Sequence, residues 1–385
     1  MNLVSLGPQF GVDFSGANPK VKELLSRPEV QEQMARSVSL GRSQPDITAF
    51  DHVRSKKRLL YEWLSTKKKI YLDTCYWINI LHARQKSRRS IPIYGPIADL
   101  LEDLRERDIV VCPASFPLVT EIFKQGDPVT RRQSAELIDK LSCGVCLQNP
   151  TRIIELEFIN SFERLIFGDD ISQDAYAYWT KIFFFAGEGL LKPKTQPVDP
   201  SKMRLLQKLT FDVNWEISFA DLVNIIGNFS PPLDHLAQWA HERNHNRINE
   251  GRKSFAEART EEMASILNQV MPLLRDVFDY IQERCRRSGK RKEDVPTPRP
   301  DPTFAPSIQI LGNAFAVMRS SPRRYDPNDY IDFEHGSLAL PYCDAFFCDR
   351  RLFNILTEKP LELHRVYAAK ISHKPEDVLA YLQNL

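Results

Sequence analysis

Short apolar runs alternate with amphipathic segments in two separate parts of the chain. Between residues 67 and 150, the runs Lys69–Asp73 and Asp108–Pro113 are rich in β-branched and aromatic residues, which indicates buried strands. Apolar residues at three- and four-residue spacing follow these runs and predict helices at Cys75–Arg84, Ile97–Arg107, Phe116–Lys124 and Ser134–Leu141. Because strands alternate with helices, this part of the chain predicts a parallel sheet.

The alternation stops near residue 151 and resumes near residue 328. Helical patterns such as Phe255–Arg284 dominate between these points. The basic run Arg284–Lys292 and the proline-rich stretch Val295–Pro306 follow, and the composition of that stretch predicts an exposed loop. The last part of the chain predicts a helix, a strand, a helix, a strand and a helix, at Asp329–Leu340, Ala345–Cys348, Leu352–Thr357, Leu361–Tyr367 and Pro375–Leu385.

These patterns divide the chain into four regions. Residues 1–66, with helical patterns at Val21–Ser37 and His52–Ser65, predict an N-terminal helical extension. Residues 67–150 and 320–385 predict the two parts of one α/β core, and residues 151–319 predict a large, mostly helical insertion.

Composition sets further limits on the class of protein. The 385 residues are 42% hydrophobic, which is enough for a sizeable core, and the net charge of +2 does not indicate a particular partner. No apolar run approaches the roughly 18 residues that span a bilayer, and the segment 1–18 lacks the pattern of a signal peptide. The seven scattered cysteines are typical of a reducing environment, so we expect a cytoplasmic protein.

Four acidic residues lie near the ends of the predicted strands. Asp73 and Asp349 directly follow strands, Glu121 lies one turn into the helix after the second strand, and Asp332 lies in the helix before the Asp349 strand. Ligands bind at the carboxyl ends of parallel strands, so we expect these acids to converge. Clustered carboxylates repel one another unless a cation such as Mg²⁺ cancels their charge. Such an ion can activate a water and stabilise charge on a phosphoryl group, which indicates phosphodiester hydrolysis.

The same acids lie in segments that resemble the PIN-domain nucleases. Tyr71–Ile80, with Asp73 followed by Thr74, is similar to the opening strand and helix of that family. Ser115–Ile122 is similar to its second motif, and Asp329–His335 with Leu340–Leu352 to its closing pair of aspartates. The resemblance covers residues 67–150 and 320–385. It implies a three-layer α/β/α sandwich with a parallel sheet that binds Mg²⁺ or Mn²⁺ and, as a rule, cleaves RNA.

Two features depart from the family's pattern. The long helical insertion is not typical of compact members, and Asp329, Asp332 and Asp344 all compete for the role of the third acid. The predicted metal ligands are therefore Asp73, Glu121, Asp332, Asp344 and Asp349, of which all but Asp344 are also predicted to be catalytic.

Other roles for these acids remain open. Asp73 and Asp349 can cap helices, with Arg350 and Arg351 as ion-pair partners of Asp349, and Glu121 needs a partner among its apolar neighbours. His335 lies three residues after Asp332 on the same helical face, where it either reaches the site or is a structural histidine.

Several polar residues are candidates for contact with the substrate. Thr74 can orient Asp73 or a metal-bound water, and basic side chains close to the predicted site can contact phosphates. The predicted substrate-binding residues are Thr74, Arg84, Lys86, Arg88, Arg89 and Arg350.

Two other motifs predict different chemistry. The segment His241-Glu242-Arg-Asn-His245 matches the HExxH pattern of zinc proteases, with a third ligand to be drawn from Glu257, Glu261 or Glu262, but its polar surroundings indicate an exposed helix. The lone pair Cys143 and Cys146 has the spacing of zinc ligands but lacks a second pair.

The sequence favours a Mg²⁺- or Mn²⁺-dependent nuclease that acts on nucleic acid, with RNA as the expected substrate. A catalytically inactive PIN-like module that binds nucleic acid or protein is the second hypothesis, and a zinc protease is the third. The choice between RNA and DNA, endo- or exonuclease action, self-association and the biological role remain open.

Overall fold

A computed structural model of the chain describes residues 18–168, 171–188, 199–227, 234–251, 253–290, 304–359 and 361–385. The strands of this part are β1 (Lys68–Leu72), β2 (Val110–Val111), β3 (Val145–Leu147), β4 (Trp179–Lys181), β5 (Ala345–Phe347) and β6 (Lys370–Ser372). Helices before β3 are α1 (Pro19–Ser26), α2 (Pro28–Ser43), α3 (Ala49–Ser65), α4 (Thr74–Arg84), α5 (Tyr94–Glu106), α6 (Phe116–Phe123) and α7 (Pro128–Ser142).

Most of the described helices follow β3. They are α8 (Pro150–Phe167), α9 (Pro200–Glu216), α10 (Phe219–Ile226), α11 (Asp234–Glu250), α12 (Phe255–Val270), α13 (Arg275–Arg287), α14 (Pro306–Ser320), α15 (Asp329–Tyr342), α16 (Arg350–Thr357), α17 (Leu363–Val366) and α18 (Pro375–Gln383). Within the described ranges, 3₁₀ segments lie at Ile171–Tyr178, Ile182–Phe184 and Met271–Leu274.

A four-stranded sheet joins the two predicted parts of the core. Its strand order is β2-β1-β5-β6, and all three pairings are parallel. The strands β1 and β5 are neighbours, with Leu72 opposite Phe347. Their carboxyl ends therefore lie side by side, although more than 270 positions separate them in the sequence. The strand β3 pairs antiparallel with β4 and joins the segment after β2 through a parallel bridge between Ala114 and Cys146.

Helices cover both faces of this sheet. Along β1, Tyr71 packs into one buried cluster, whereas Ile70 and Leu72 pack into another, because successive strand residues point to opposite faces. The first cluster contains residues of α8, α14, α15 and α16, and the second contains residues of α4, α5, α7 and α18. The structure is therefore α/β, with a small parallel sheet inside a mostly helical molecule.

The predicted insertion shares its core with the sheet. Phe158 of α8 and Phe315 of α14 belong to the same buried cluster as Tyr71 and Phe346. Helix α14 also packs against α15, the helix on which Asp332 lies. The division of the chain into four regions stays a prediction, but the described part of residues 151–319 packs directly against the sheet.

Several predicted elements were wrong in type or extent. The strand predicted at Leu361–Tyr367 is the short helix α17, and the strand follows later as β6. The long helix predicted at Phe255–Arg284 is interrupted by the 3₁₀ segment at Pro272, because proline cannot donate a backbone hydrogen bond within a helix. Neither of the paired strands β3 and β4 was predicted.

Some predictions fall outside the described residues. These are the segment 1–17, the end of the basic run at 291–292 and most of the proline-rich stretch, residues 295–303. Within the described part, no helix combines the length and the apolar character needed to cross a membrane.

Candidate metal centre

Two acids meet where β1 and β5 end. The Asp73 amide donates to the Phe347 carbonyl (2.9 Å), and the Asp349 amide donates to Oδ2 of Asp73 (3.2 Å). Both carboxylates also cap helices, since Asp73 accepts from the amide of Thr74 and Asp349 from that of Leu352. Both aspartates therefore cap helices, and the cap hydrogen bonds fix each side chain at the carboxyl edge of the sheet.

Glu121 and His335 lie beside Asp73. Nε2 of His335 is 3.0 Å from Oε2 of Glu121 and 3.9 Å from Oδ1 of Asp73, and Thr74 Oγ1 donates to the same Glu121 oxygen. One ligand atom from each of Asp73, Glu121 and His335 falls within 4.8 Å of the other two. We call these three residues the acid–histidine cluster.

The spacing of the acid–histidine cluster fits a metal ion. Ligands about 2.1 Å from an octahedral ion lie roughly 3 Å apart when they are adjacent and roughly 4 Å apart when they are opposite. The distances of 3.0 and 3.9 Å lie in this range. Two carboxylates and one imidazole are therefore close enough to share one divalent cation.

Charge couples Glu121 to His335. Burial lowers the pKa of His335, but the hydrogen bond and charge of Glu121, with the charges of Asp73 and Asp332, outweigh burial and raise it to about 8. Burial likewise opposes ionisation of Glu121, yet its contacts with His335 and Thr74 lower its pKa overall. The two side chains form an ion pair, which provides the partner that a buried glutamate requires.

Asp332 and Asp349 flank the acid–histidine cluster without belonging to it, and we call them the flanking acids. Burial raises the pKa of Asp332 to about 8, and the charges of Asp73, Asp349 and Glu121 contribute to the increase. The pKa of Asp73 is also raised, mainly by burial and further by Glu121 and Asp349. The four acids that the sequence singled out as catalytic are therefore close enough to repel one another.

A chain of buried hydroxyl groups lies behind His335. Its Nδ1 is hydrogen-bonded to the Tyr71 hydroxyl (2.6 Å), which in turn bonds to Ser115 Oγ. Neither Tyr71 nor Ser115 was predicted to support the site. Tyr71 could have been found, because it lies two residues before Asp73 and strand residues two apart share a face.

The structure separates Asp344 from the other acids. Asp344 precedes β5, whereas Asp349 follows it, so the two lie at opposite edges of the sheet. Its carboxylate accepts from the amide of Lys69 (2.9 Å) and pairs with the ammonium group of the same residue (3.0 Å), and these contacts lower its pKa despite partial burial. The prediction that Asp344 is a metal ligand is therefore corrected.

The two competing acids of α15 have different surroundings. Asp329 is buried and accepts two hydrogen bonds from Arg351, at 2.6 and 2.7 Å. Its charge is neutralised by that guanidinium, which makes it a structural residue. Asp332, one turn further along the helix, is the one that faces the acid–histidine cluster.

The predicted substrate contacts differ in their distance from the cluster. Thr74 contacts Glu121, and Arg350 is exposed beside Asp349. Arg84 ends α4, about 15 Å along the helix from Asp73, and pairs with two acids of α5. Beyond Arg84, three exposed basic residues continue the chain, and their contact with substrate stays a prediction: Lys86, Arg88 and Arg89.

The zinc-protease hypothesis does not fit the structure. His241, Glu242 and His245 lie on the exposed face of α11, where His245 contacts Asn249. Each proposed third ligand is otherwise engaged, in a helix cap or an ion pair: Glu257, Glu261 and Glu262. Among the described residues, the acid–histidine cluster is the one group of this kind close enough to share an ion, so Cys143 and Cys146 form no zinc site there.

Comparison of the chain with protein-family models, with curated proteins and with solved structures gave no match. Inferences about function therefore rest on the geometry of the site itself.

Proposed function

We propose that this chain is a metal-dependent nuclease with a PIN-like α/β/α core that hydrolyses RNA with the help of Mg²⁺ or Mn²⁺. One observation carries the proposal. Asp73, Glu121, Asp332 and Asp349 come from four separate segments, and all four approach one another at the carboxyl edge of the parallel sheet. So much mutual repulsion is costly unless a cation offsets it.

Each residue has a defined part in this proposal. Asp73 and Glu121 hold the ion, the flanking acids complete the negative site, and Thr74 keeps the Glu121 carboxylate in place. Arg350, exposed beside Asp349, binds a phosphate of the substrate. A bound divalent cation supplies activation of water and neutralisation of charge on the phosphodiester.

A catalytically inactive PIN-like module that binds nucleic acid or protein is the second candidate. The observation in its favour is the ion pair between Glu121 and His335, which neutralises one carboxylate with a protein side chain. On this alternative, the site binds no metal and the described helices serve recognition alone.

Cleavage of a labelled RNA in Mn²⁺, in Mg²⁺ and in EDTA separates the two candidates. We expect cleavage in the metal ions only, and a decrease of about a hundredfold or more in Asp73→Asn, because removing a direct ligand costs at least as much as removing the group that orients one. Asparagine caps a helix as well as aspartate does, so this variant should fold.

The matched control is Asp344→Asn, an acid next to the same strand as Asp349 but at its other end. It should cleave RNA within about threefold of the unmodified chain once its stability has been checked. Full binding of RNA without cleavage by the unmodified chain would favour the inactive module instead.

A further inference from the structure

His335 has the surroundings of a metal ligand rather than those of a simple counter-ion. Its ring is fully buried, and Nε2 lies within 4 Å of carboxylate oxygens from both Asp73 and Glu121. A histidine that only neutralised Glu121 would need the contact with Glu121 but not the one with Asp73. Here the nitrogen occupies one corner of a triangle whose other two corners are oxygen ligands.

The second nitrogen of the ring is fixed in the manner typical of ligating histidines. Such residues use their other ring N–H to bond to a protein acceptor, which sets the tautomer and directs the free lone pair at the metal. In this chain the Tyr71 hydroxyl lies 2.6 Å from Nδ1, where it can accept this hydrogen bond and donate onward to Ser115 Oγ. Tyr71 and Ser115 are fully buried, so they hold the ring in one orientation.

The donor set determines which ions the site prefers. Mg²⁺ takes oxygen ligands and retains its waters, whereas imidazole nitrogen suits Mn²⁺ only moderately and the later first-row ions more strongly. We propose that Nε2 of His335 gives up its proton to solvent when an ion binds and becomes a direct metal ligand beside Asp73 and Glu121, and that the site therefore selects a first-row transition ion over Mg²⁺. This inference rests on the proposed function, since it names the ion that the same site would use.

Electron spin-echo spectroscopy of bound Mn²⁺ tests the inference without any measurement of cleavage. A directly coordinated imidazole gives a ¹⁴N modulation. We expect this modulation in the unmodified chain and its replacement by a ¹⁵N signal when the protein is prepared with ¹⁵N-histidine. His335→Gln should abolish the signal and weaken Mn²⁺ binding by about 10- to 100-fold, with binding of Mg²⁺ changed much less.

Two further variants test whether the signal comes from His335. His364→Gln changes an exposed histidine of α17 and should leave the signal and the affinity intact. If His335→Gln does not fold, Tyr71→Phe keeps the imidazole but removes the partner of Nδ1, and it should alter the ¹⁴N quadrupole coupling. An unaltered coupling in Tyr71→Phe would overturn the inference.

The outcomes distinguish this inference from the nuclease proposal. Bound Mn²⁺ without a nitrogen signal would overturn the role of His335 and leave the proposed nuclease intact. Nitrogen-ligated Mn²⁺ in a protein that cleaves no RNA would support the inference and contradict the nuclease. Failure of the unmodified chain to bind Mn²⁺ would overturn both.

Discussion

Asp329 and Asp332 lie one turn apart on α15, yet their surroundings are opposite. Arg351 neutralises the buried Asp329 through two hydrogen bonds. Asp332 faces other carboxylates, and burial together with their charges raises its pKa to about 8. Of the two acids, Asp329 has a cationic partner, whereas burial and neighbouring charges oppose the ionisation of Asp332.

This contrast predicts opposite effects on stability. Asp332→Asn should increase the free energy of unfolding by about 1–2 kcal/mol in metal-free buffer at neutral pH, because the unfolded chain ionises Asp332 freely whereas burial and the neighbouring charges oppose its ionisation in the folded protein. Asp329→Asn should decrease it by about 1–3 kcal/mol, because it leaves the Arg351 guanidinium, which is partly solvent-screened, without its carboxylate. Urea unfolding of both variants measures the difference. Destabilisation by Asp332→Asn would contradict the claim of crowded carboxylates.

Glu157 of α8 is a buried acid outside the candidate metal centre. It accepts hydrogen bonds from the amide and hydroxyl of Ser307 and from the Tyr342 hydroxyl (2.5 Å). Burial raises its pKa to about 7 although these hydrogen bonds oppose the increase. Its folded-state pKa therefore lies above the value of about 4.5 expected in the unfolded chain.

The sign of this shift gives a pH dependence. Below about pH 4.5 the Glu157 carboxyl is protonated in both the folded and the unfolded chain, so its ionisation does not change the free energy of unfolding. Between there and about pH 7 the unfolded chain loses the proton first, so stability falls by about 1.4 kcal/mol per pH unit and then levels off. In Glu157→Gln this contribution is absent, so the difference in unfolding free energy between variant and unmodified chain should grow from pH 5 to pH 7. Parallel curves over that range would refute the prediction.

At the scale of elements, α15 links the site to the helical region. Phe333 of α15 packs edge-on against Phe315 of α14, with ring centroids 5.1 Å apart, and the guanidinium of Arg243 lies over the Phe315 ring at 4.7 Å. Since α15 also carries Asp332 and His335, the packing of α14 determines where these two side chains lie.

Phe315→Ala should therefore reduce both stability and metal binding. Truncation of a buried phenylalanine costs about 3–5 kcal/mol, and any shift of α15 displaces His335 from Asp73. The control is Phe50→Ala, since Phe50 is 71% exposed and its loss should change stability by less than about 0.5 kcal/mol. Calorimetry and Mn²⁺ titration measure the two effects. Unchanged Mn²⁺ affinity in a destabilised Phe315→Ala would show that α14 does not position the site.

The elements that bear the acids could be predicted from the sequence, and several others could not. Residues 70–72 of β1 and the whole of β5 are continuous apolar runs, which is the pattern of strands buried on both faces. Strand β6 has one strongly apolar residue, Ile371, between Lys370 and Ser372, so its pairing with β5 left little trace in the sequence. The preceding run at Leu361–Tyr367 is equally compatible with a short helix, which is what forms.

The site itself was predictable in part. Strand ends and motif spacing indicated Asp73, Glu121, Asp332 and Asp349. Motif spacing did not exclude Asp344, which precedes β5 and therefore lies at the edge of the sheet opposite to Asp349. Strand alternation places Tyr71 on the same face as Asp73, but its contact with His335, 264 positions away, leaves no local pattern in the sequence.

For the whole molecule, the buried clusters join the predicted insertion to the sheet. The cluster on one face of the sheet contains residues of β1, β5, α8 and α14. The described helices of residues 151–319 therefore help to support the edge of the sheet where the acids meet.

A crystal structure of the protein with Mn²⁺ tests the central claim most directly, since anomalous scattering locates the ion without reference to activity. We predict a peak about 2.1 Å from oxygens of Asp73 and Glu121, on the side that faces Asp332 and Asp349. In crystals of Asp73→Asn the peak should be lost or strongly weakened. A well-ordered site with no anomalous peak at saturating Mn²⁺, or a peak only at another part of the molecule, would contradict the account.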